Sequence, residues 1–183
     1  VGAIKQGNNI HEHLDLIAGL PYEDYETFQR SFNDVYAMKP EQLQLGFLKV
    51  LKGSKIYHNA KEYGIVYTTR EPYEVLYTKW ISYEDVLRLK GIEEMVEVYY
   101  NSRQFEKTLE VLEKEFASKF HMYEKIWEFY KKNELHNLQH KRAARYSILL
   151  DFIKEELAAG NMKDFGEEYY RELLTYDYYL REN

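Results

Sequence analysis

Cysteine is absent from the 183 residues. That excludes disulfides, thiolate nucleophiles, zinc–thiolate sites and cysteine-held iron–sulfur clusters within this chain. Proline is scarce, standing only at positions 21, 40 and 72. Six of the nine glycines fall in the first 64 residues. The early part is therefore punctuated like α/β structure, and the proline-free remainder is free to run in long helices. No apolar run approaches the roughly 18 residues of a membrane span. No stripe of basic charge is present either: 25 Lys and Arg are interleaved with 31 Asp and Glu, for a net charge of −6. Such a surface argues against nucleic acid as a partner. The first residues, Val1-Gly2-Ala3-Ile4-Lys5, lack a signal-peptide core and an initiator Met. The expectation is a cytoplasmic piece of a longer protein.

Tyrosine is what the chain has in excess, at 19 residues. An apolar ring with a polar tip suits half-buried helix faces and interfaces. Ordinary helix packing is the plainer reading of the tyrosine-rich tail, Tyr169-Tyr170 and Tyr176 through Tyr179. The sharper reading is a surface that docks on other domains or covers a substrate cavity.

Along the chain, 3–7 reads as the end of a helix and 11–18 as a strand. Gly19-Leu20-Pro21 turns the chain, and 23–38 carries Tyr25, Phe28, Phe32, Val35 and Tyr36 at helical spacing. Lys39-Pro40 stops that helix, and 43–48 reads as a second strand. Strand, helix and strand at this length predict a parallel βαβ unit. A loop around Lys52-Gly53-Ser54, a short helix over 56–63 capped by Gly64 and a short strand over 65–67 follow. Residues 68–72 read as a turn, and 73–80 is ambiguous between strand and helix. Ser82-Tyr83-Glu84-Asp85 resembles a capping box with Asp in place of the preferred Glu. Helices are predicted from there to 99, then over 105–117, 122–132, 136–159 and 162–179. The expected fold is mainly α, with a small parallel α/β element at the start, the end of a partial TIM-like barrel. Domains are expected at 1–72 and 73–183.

Two places invite chemistry. In parallel sheets ligands sit at the carboxyl ends of strands, which singles out Asp15 and Gly19. Gly19 would allow close backbone approach, and a carboxylate inside an apolar strand needs a partner. The plainer reading is an Asp that hydrogen-bonds a neighbouring strand or helix. The second place is His136-Asn137-Leu138-Gln139-His140. Histidines four apart on a helix share one face and could hold a metal, although a solvated polar face beside Lys141 and Arg142 is the commoner outcome. His11 and His13 fall on one face of the first strand and mark a barrel end better than a metal site.

The wording of the first strand is more specific than its pattern. Asp15, Leu16, Ile17, Gly19, Leu20 and Pro21, then Glu23, Thr27 and Phe28, resemble a late barrel strand of radical S-adenosylmethionine enzymes. These are the kind related to oxygen-independent coproporphyrinogen oxidase and to cobalamin-binding methyltransferases and cyclases. The run from Lys39 to Leu48 resembles the family's next strand. Lys52-Gly53-Ser54 sits where the family often has Pro-Gly-Thr-Pro, without the prolines. Glu62 to Val66, Pro72 to Leu76 and Lys79 to Asp85 narrow the likeness to a cobalamin-binding subgroup named after anaerobic magnesium-protoporphyrin IX monomethyl ester cyclase, which ends in a helical domain of unassigned function.

The resemblance implies a parent with a 4Fe-4S cluster, S-adenosylmethionine and cobalamin. It implies that the cluster's CxxxCxxC motif lies upstream, so this segment is not catalytic by itself and holds no metal. Asp15 and the backbone near Gly19 match positions that contact S-adenosylmethionine. Leu48 and Lys49 match a place where backbone flanks the adenine. The implied partners are the upstream cobalamin-binding and radical domains of the same chain and a small-molecule substrate. Open strand edges predict pairing with another chain, as a homodimer, or cover by the helices. The competing expectation is a free-standing helical interaction module without a cofactor.

Overall fold

A computed structural model describes residues 12–136 and 138–182. The helix end expected over 3–7, and His11, lie outside the described residues. The chain separates into two compact units, 1–94 and 95–183.

The first unit opens with the expected βαβ element. Strand β1 (His13–Ala18) leads through Gly19-Leu20-Pro21 to helix α1 (Tyr25–Ala37) and returns as β2 (Gln42–Phe47). The Asp24 carboxylate accepts from the Thr27 amide at 2.8 Å and starts α1. Apolar residues four apart, Phe28, Phe32 and Tyr36, give α1 its buried face. The two strands pair in parallel, with Leu14 opposite Leu43 and Leu16 opposite Leu45. That side of the pair carries the buried Leu43 and Leu45. The other side presents His13, Asp15 and Ile17 beside Gln42, Gln44 and Gly46. Parallel pairs are normally apolar on both faces; this one is polar on one.

Beyond β2 the chain bends. The Leu48 amide bonds the Ala18 carbonyl at 2.9 Å, while the Leu48 carbonyl accepts from Val75 at 2.9 Å. Short helix α2 (Lys55–Asn59) is capped by Ser54, which accepts from the Tyr57 amide. Strands β3 (Val66–Tyr67) and β4 (Val75–Tyr77) form an antiparallel pair. Leu48, Val50, Ala60, Ile65 and Val75 make a small core under these pieces. The ambiguous stretch 73–80 thus resolves as a strand, because Val75 fills that core.

Helix α3 (Tyr83–Val96) begins with the predicted capping box. The Asp85 amide donates to Ser82 Oγ at 3.1 Å, and Asp85 Oδ2 accepts from the Ser82 amide at 3.3 Å. The helical path continues into a π-turn over Glu97–Asn101.

The second unit holds α4 (Glu106–Leu112), α5 (Lys119–Lys132), α6 (Arg142–Ala158) and α7 (Glu167–Glu182). Its centre is aromatic: Tyr99, Phe105, Phe120, Tyr123, Tyr130, Phe152 and Tyr170 are almost fully buried. The hydroxyls of Tyr99 and Tyr130 satisfy each other at 2.8 Å, and burial pushes the Tyr99 phenol well above its usual range.

Four helix expectations were too long. The short helix expected over 56–63 ends at Asn59, and the helix expected over 162–179 starts only at Glu167 and runs on to Glu182. The helix expected over 105–117 stops at Leu112. The helix expected over 136–159 starts only at Arg142. Glu134 is left-handed at φ 55°, and the Leu135 amide returns to the Tyr130 carbonyl at 2.9 Å. That closure ends α5 and sends the chain into a loop. Overall the chain is mainly helical, with one small parallel sheet near its start.

Candidate functional site

The strand-end residues expected from the sequence lie in the first unit. Asp15 projects from the polar side of β1, and its side chain is 65% exposed. The expected burial cost is therefore not incurred. Its partner is His13, whose Nε2 lies 2.9 Å from Asp15 Oδ1. Gln44 stands opposite Asp15 in the register, so the exposed side of β1 and β2 collects an imidazole, a carboxylate and two carboxamides.

Gly19 is left-handed at φ 87°, which favours glycine. A Cβ built there would meet Val75 Cγ1 at 2.7 Å. The glycine thus lets β1 end directly against the β4 side chain that anchors the small core. Leu48 is buried, with both of its backbone groups engaged. Lys49 is exposed and pairs with Glu74 through an isolated bridge. The flanking bonds run through Leu48 and Val50, so the amide and carbonyl of Lys49 itself point away from β4. Asp15 and Gly19 therefore share a strand whose neighbour leads directly into Leu48 and Lys49.

The turn after Gly19 carries its own charges. Burial pushes the Glu23 carboxyl above its usual range, against the Ser31 hydroxyl, which donates at 3.4 Å. Hydrogen bonds from Thr27 hold Asp24 below its usual range. Both carboxylates thus serve the entry into α1.

The histidine pair does not form the expected helical face. His136 and His140 lie in the loop between α5 and α6. His140 Nε2 is 2.8 Å from the Leu135 carbonyl oxygen, and His136 stands edge-on to Trp127 at 5.8 Å. Among the described residues no three His, Cys, Asp or Glu side chains gather as a metal site.

Sequence reasoning passed over two further features. In the second unit, α6 and α7 enclose an open cleft of about 340 Å³, lined by Tyr146, Ser147, Arg171, Thr175 and Tyr178 among others. Burial pushes the Tyr146 phenol upward, and its hydroxyl donates to the Gln104 carbonyl. In the first unit, Tyr22, Tyr63 and Trp80 form an aromatic cluster just past the carboxyl end of β1. The tyrosine next to Gly-Leu-Pro was the available signal, but nothing local says which distant rings meet it. No helix of the described residues is long and apolar enough to cross a membrane.

No curated protein and no solved structure matches the chain. A family model described as a protein of unknown function, DUF4080, matches residues 61–183. The match takes in the β3–β4 pair, α3 and all of the second unit, more than half of the chain, and on that basis the chain belongs to the DUF4080 family.

Proposed function

We propose that this chain is the C-terminal part of a cobalamin-binding radical S-adenosylmethionine enzyme, in the likeness of anaerobic magnesium-protoporphyrin IX monomethyl ester cyclase. It would supply the last barrel strands and a helical domain on the substrate side. One observation carries the reading. The two segments that resemble consecutive barrel strands pair in parallel through one helix, and the Ala18 carbonyl bonds the Leu48 amide where they end. Two others support it. The polar side of the pair suits a surface that faces a ligand, and the resembling subgroup ends in a helical domain of unassigned function, in keeping with the helical second unit that falls within the family match over 61–183.

The chain's own share of the chemistry is limited and specific. With no cysteine, it leaves the 4Fe-4S cluster to residues outside this segment. Asp15 offers an exposed carboxylate, held by His13, to the polar groups of S-adenosylmethionine. The Lys49 backbone, turned away from β4, offers one donor and one acceptor to the edge of an adenine. Gly19 keeps this strand end tight against Val75. The bound cofactors would supply reductive cleavage of S-adenosylmethionine and hydrogen abstraction or methyl transfer on a small molecule. The outer edges of β1 and β2 would pair with upstream strands of the same chain, or with a second copy, in the cytoplasm.

A second reading, a helical interaction module without a cofactor, draws on the exposed apolar residues of α7, Tyr176, Tyr179 and Leu180. One measurement separates the two. The full reading frame containing this segment is purified without oxygen and assayed for iron, sulfide and cobalamin. About four irons with matching sulfide, together with cobalamin, support the radical enzyme. A reconstituted protein free of both supports the module.

A further inference from the structure

The turn after β1 places a tyrosine where a tyrosine is costly. Tyr22 is left-handed, at φ 69°. A bulky side chain there is an outlier, since only Gly and, to a lesser degree, Asn and Asp adopt that conformation freely. Its ring is not spent on the core, for Tyr22 is 71% exposed, the most of any large hydrophobic residue described. Yet the ring is held in place. It rests on Trp80 at 4.6 Å between centroids and meets Tyr63 at 5.9 Å, while Tyr63 and Trp80 lie 6.3 Å apart. The Glu23 amide closes the turn on the Leu20 carbonyl at 3.3 Å, with Pro21 before Tyr22, so the turn itself demands the positive φ. A glycine would meet that demand at less cost, and what a tyrosine adds there is its exposed ring.

The surroundings define that contact. The cluster follows the carboxyl end of a parallel strand, where ligands gather in such sheets. Ile17 and Leu20, on the approach to Tyr22, are also exposed, at 46% and 37%. The Lys79 stem lies over Gly64, next to Tyr63; a Cβ on Gly64 would meet Lys79 Cγ at 2.8 Å. Lys79 is exposed and makes no ion pair among the described residues. Of the acids near the cluster, Glu23 takes the Ser31 hydroxyl and Asp24 caps α1, while Glu62, next to Tyr63, is exposed. The rings touch one another, so they leave no enclosed cage for a cation. They form a platform with one exposed aromatic face, and Lys79, next in sequence to Trp80, carries an ammonium group, unpaired among the described residues, on a stem that lies over Gly64.

We propose that Tyr22, backed by Trp80 and Tyr63, is a stacking site for a planar heteroaromatic ligand that carries an anionic group, with Lys79 meeting the anion. Stacking on an aromatic side chain changes affinity by about 5- to 150-fold when the ring is removed. The site stands on this unit's own geometry and needs neither a cluster nor cobalamin, so its fate and that of the radical-enzyme reading are decided by separate measurements.

The test is isothermal titration of the 183-residue chain with adenosine 5′-monophosphate, with ribose 5-phosphate as the probe that lacks the ring. Saturable binding of the nucleotide, with none of ribose 5-phosphate, is expected. Tyr22→Gly and Tyr22→Asn both suit the left-handed backbone, so each keeps the fold while binding weakens by about 5- to 150-fold. Tyr22→Phe keeps the ring and keeps the affinity, and Lys79→Met brings the nucleotide down to the affinity of adenosine. Equal binding by Tyr22→Gly and the parent chain would overturn the proposal. So would equal binding of ribose 5-phosphate and the nucleotide, or no binding of the nucleotide at all.

Discussion

Removing the carboxylate of Asp177 should destabilise the second unit more than any surface change to it. Helix α4 begins at Glu106 after Phe105, which gives it no side-chain cap. The missing cap arrives from α7, about 70 residues along the chain. Asp177 is 3% exposed. Its Oδ1 accepts from the Lys107 amide at 3.0 Å, and its Oδ2 accepts from the Thr108 amide at 2.8 Å and the Thr108 hydroxyl at 2.7 Å. A carboxylate at a helix N-terminus also meets the positive end of the helix dipole. Asp177→Ala leaves two amides and a hydroxyl without this acceptor in a buried place. Unsatisfied buried donors cost about 1–3 kcal/mol each, and these losses overlap, so about 3–5 kcal/mol is expected in total. Asp177→Asn keeps the shape and one acceptor oxygen but turns an NH2 toward donors, for a loss of about 1–2 kcal/mol.

The assay is urea unfolding followed by Trp127, which lies in α5, in a Trp80→Phe background so that only the second unit reports. A lower midpoint with an unchanged slope marks a stability effect. Thr108→Val removes the hydroxyl donor in advance. The double-mutant cycle with Asp177→Ala should then return a coupling of about 1–2 kcal/mol. A loss below about 1 kcal/mol for Asp177→Ala, or a coupling near zero, would refute the claim that α7 caps α4.

Three other outcomes follow from the same kind of contact. Gly19→Ala should cost about 2–4 kcal/mol, because it adds left-handed strain to a clash with Val75; adding Val75→Ala should relieve the clash and leave the strain, read as a partial return of the first unit's thermal midpoint. Ser82→Ala should cost about 0.5–2 kcal/mol and raise amide exchange in the first turn of α3. The Tyr170 phenol is pushed far above its usual range by burial and by the Glu115 carboxylate that accepts its hydroxyl. Its stabilising share is thus complete below the ordinary tyrosine range near pH 10 and falls away as pH rises beyond it, when only the unfolded chain ionises. Alkaline titration of phenolate absorbance should show this ring, with Tyr99, ionising only on unfolding, and Tyr170→Phe should flatten the alkaline loss; an early, reversible titration of every tyrosine would contradict it.

What could be read from the sequence was local. The βαβ element was legible because each of its signals lies within a few residues: Asp24 before α1, apolar spacing inside it, Lys39-Pro40 after it. The capping box at Ser82 was legible for the same reason, and Asp served in place of Glu because its shorter arm still reaches the Ser82 amide. The apparent helix over 136–159 failed at its start because a left-handed Glu134 and the returning Leu135 amide decide where α5 stops, and non-glycine residues give little warning of that. Asp15 looked buried in the sequence because its flanking residues are apolar. Alternation with Leu14 and Leu16 places it on the opposite, exposed face of β1.

The features that matter most to the candidate sites are long-range pairings between residues with no local mark. Gly19 is explained only by Val75, Asp177 only by Thr108, and Tyr22 only by Trp80. In the first two pairs an unusual residue is matched by a buried partner, and the fold itself accounts for the residue. The third pair differs: the strain is local, the partner is present, and the ring still faces solvent. A bulky residue at a position that favours glycine, with its ring still in solvent, points outward. That asymmetry, more than the number of tyrosines, distinguishes Tyr22 from buried members of the same residue type such as Tyr99, Tyr123 and Tyr130.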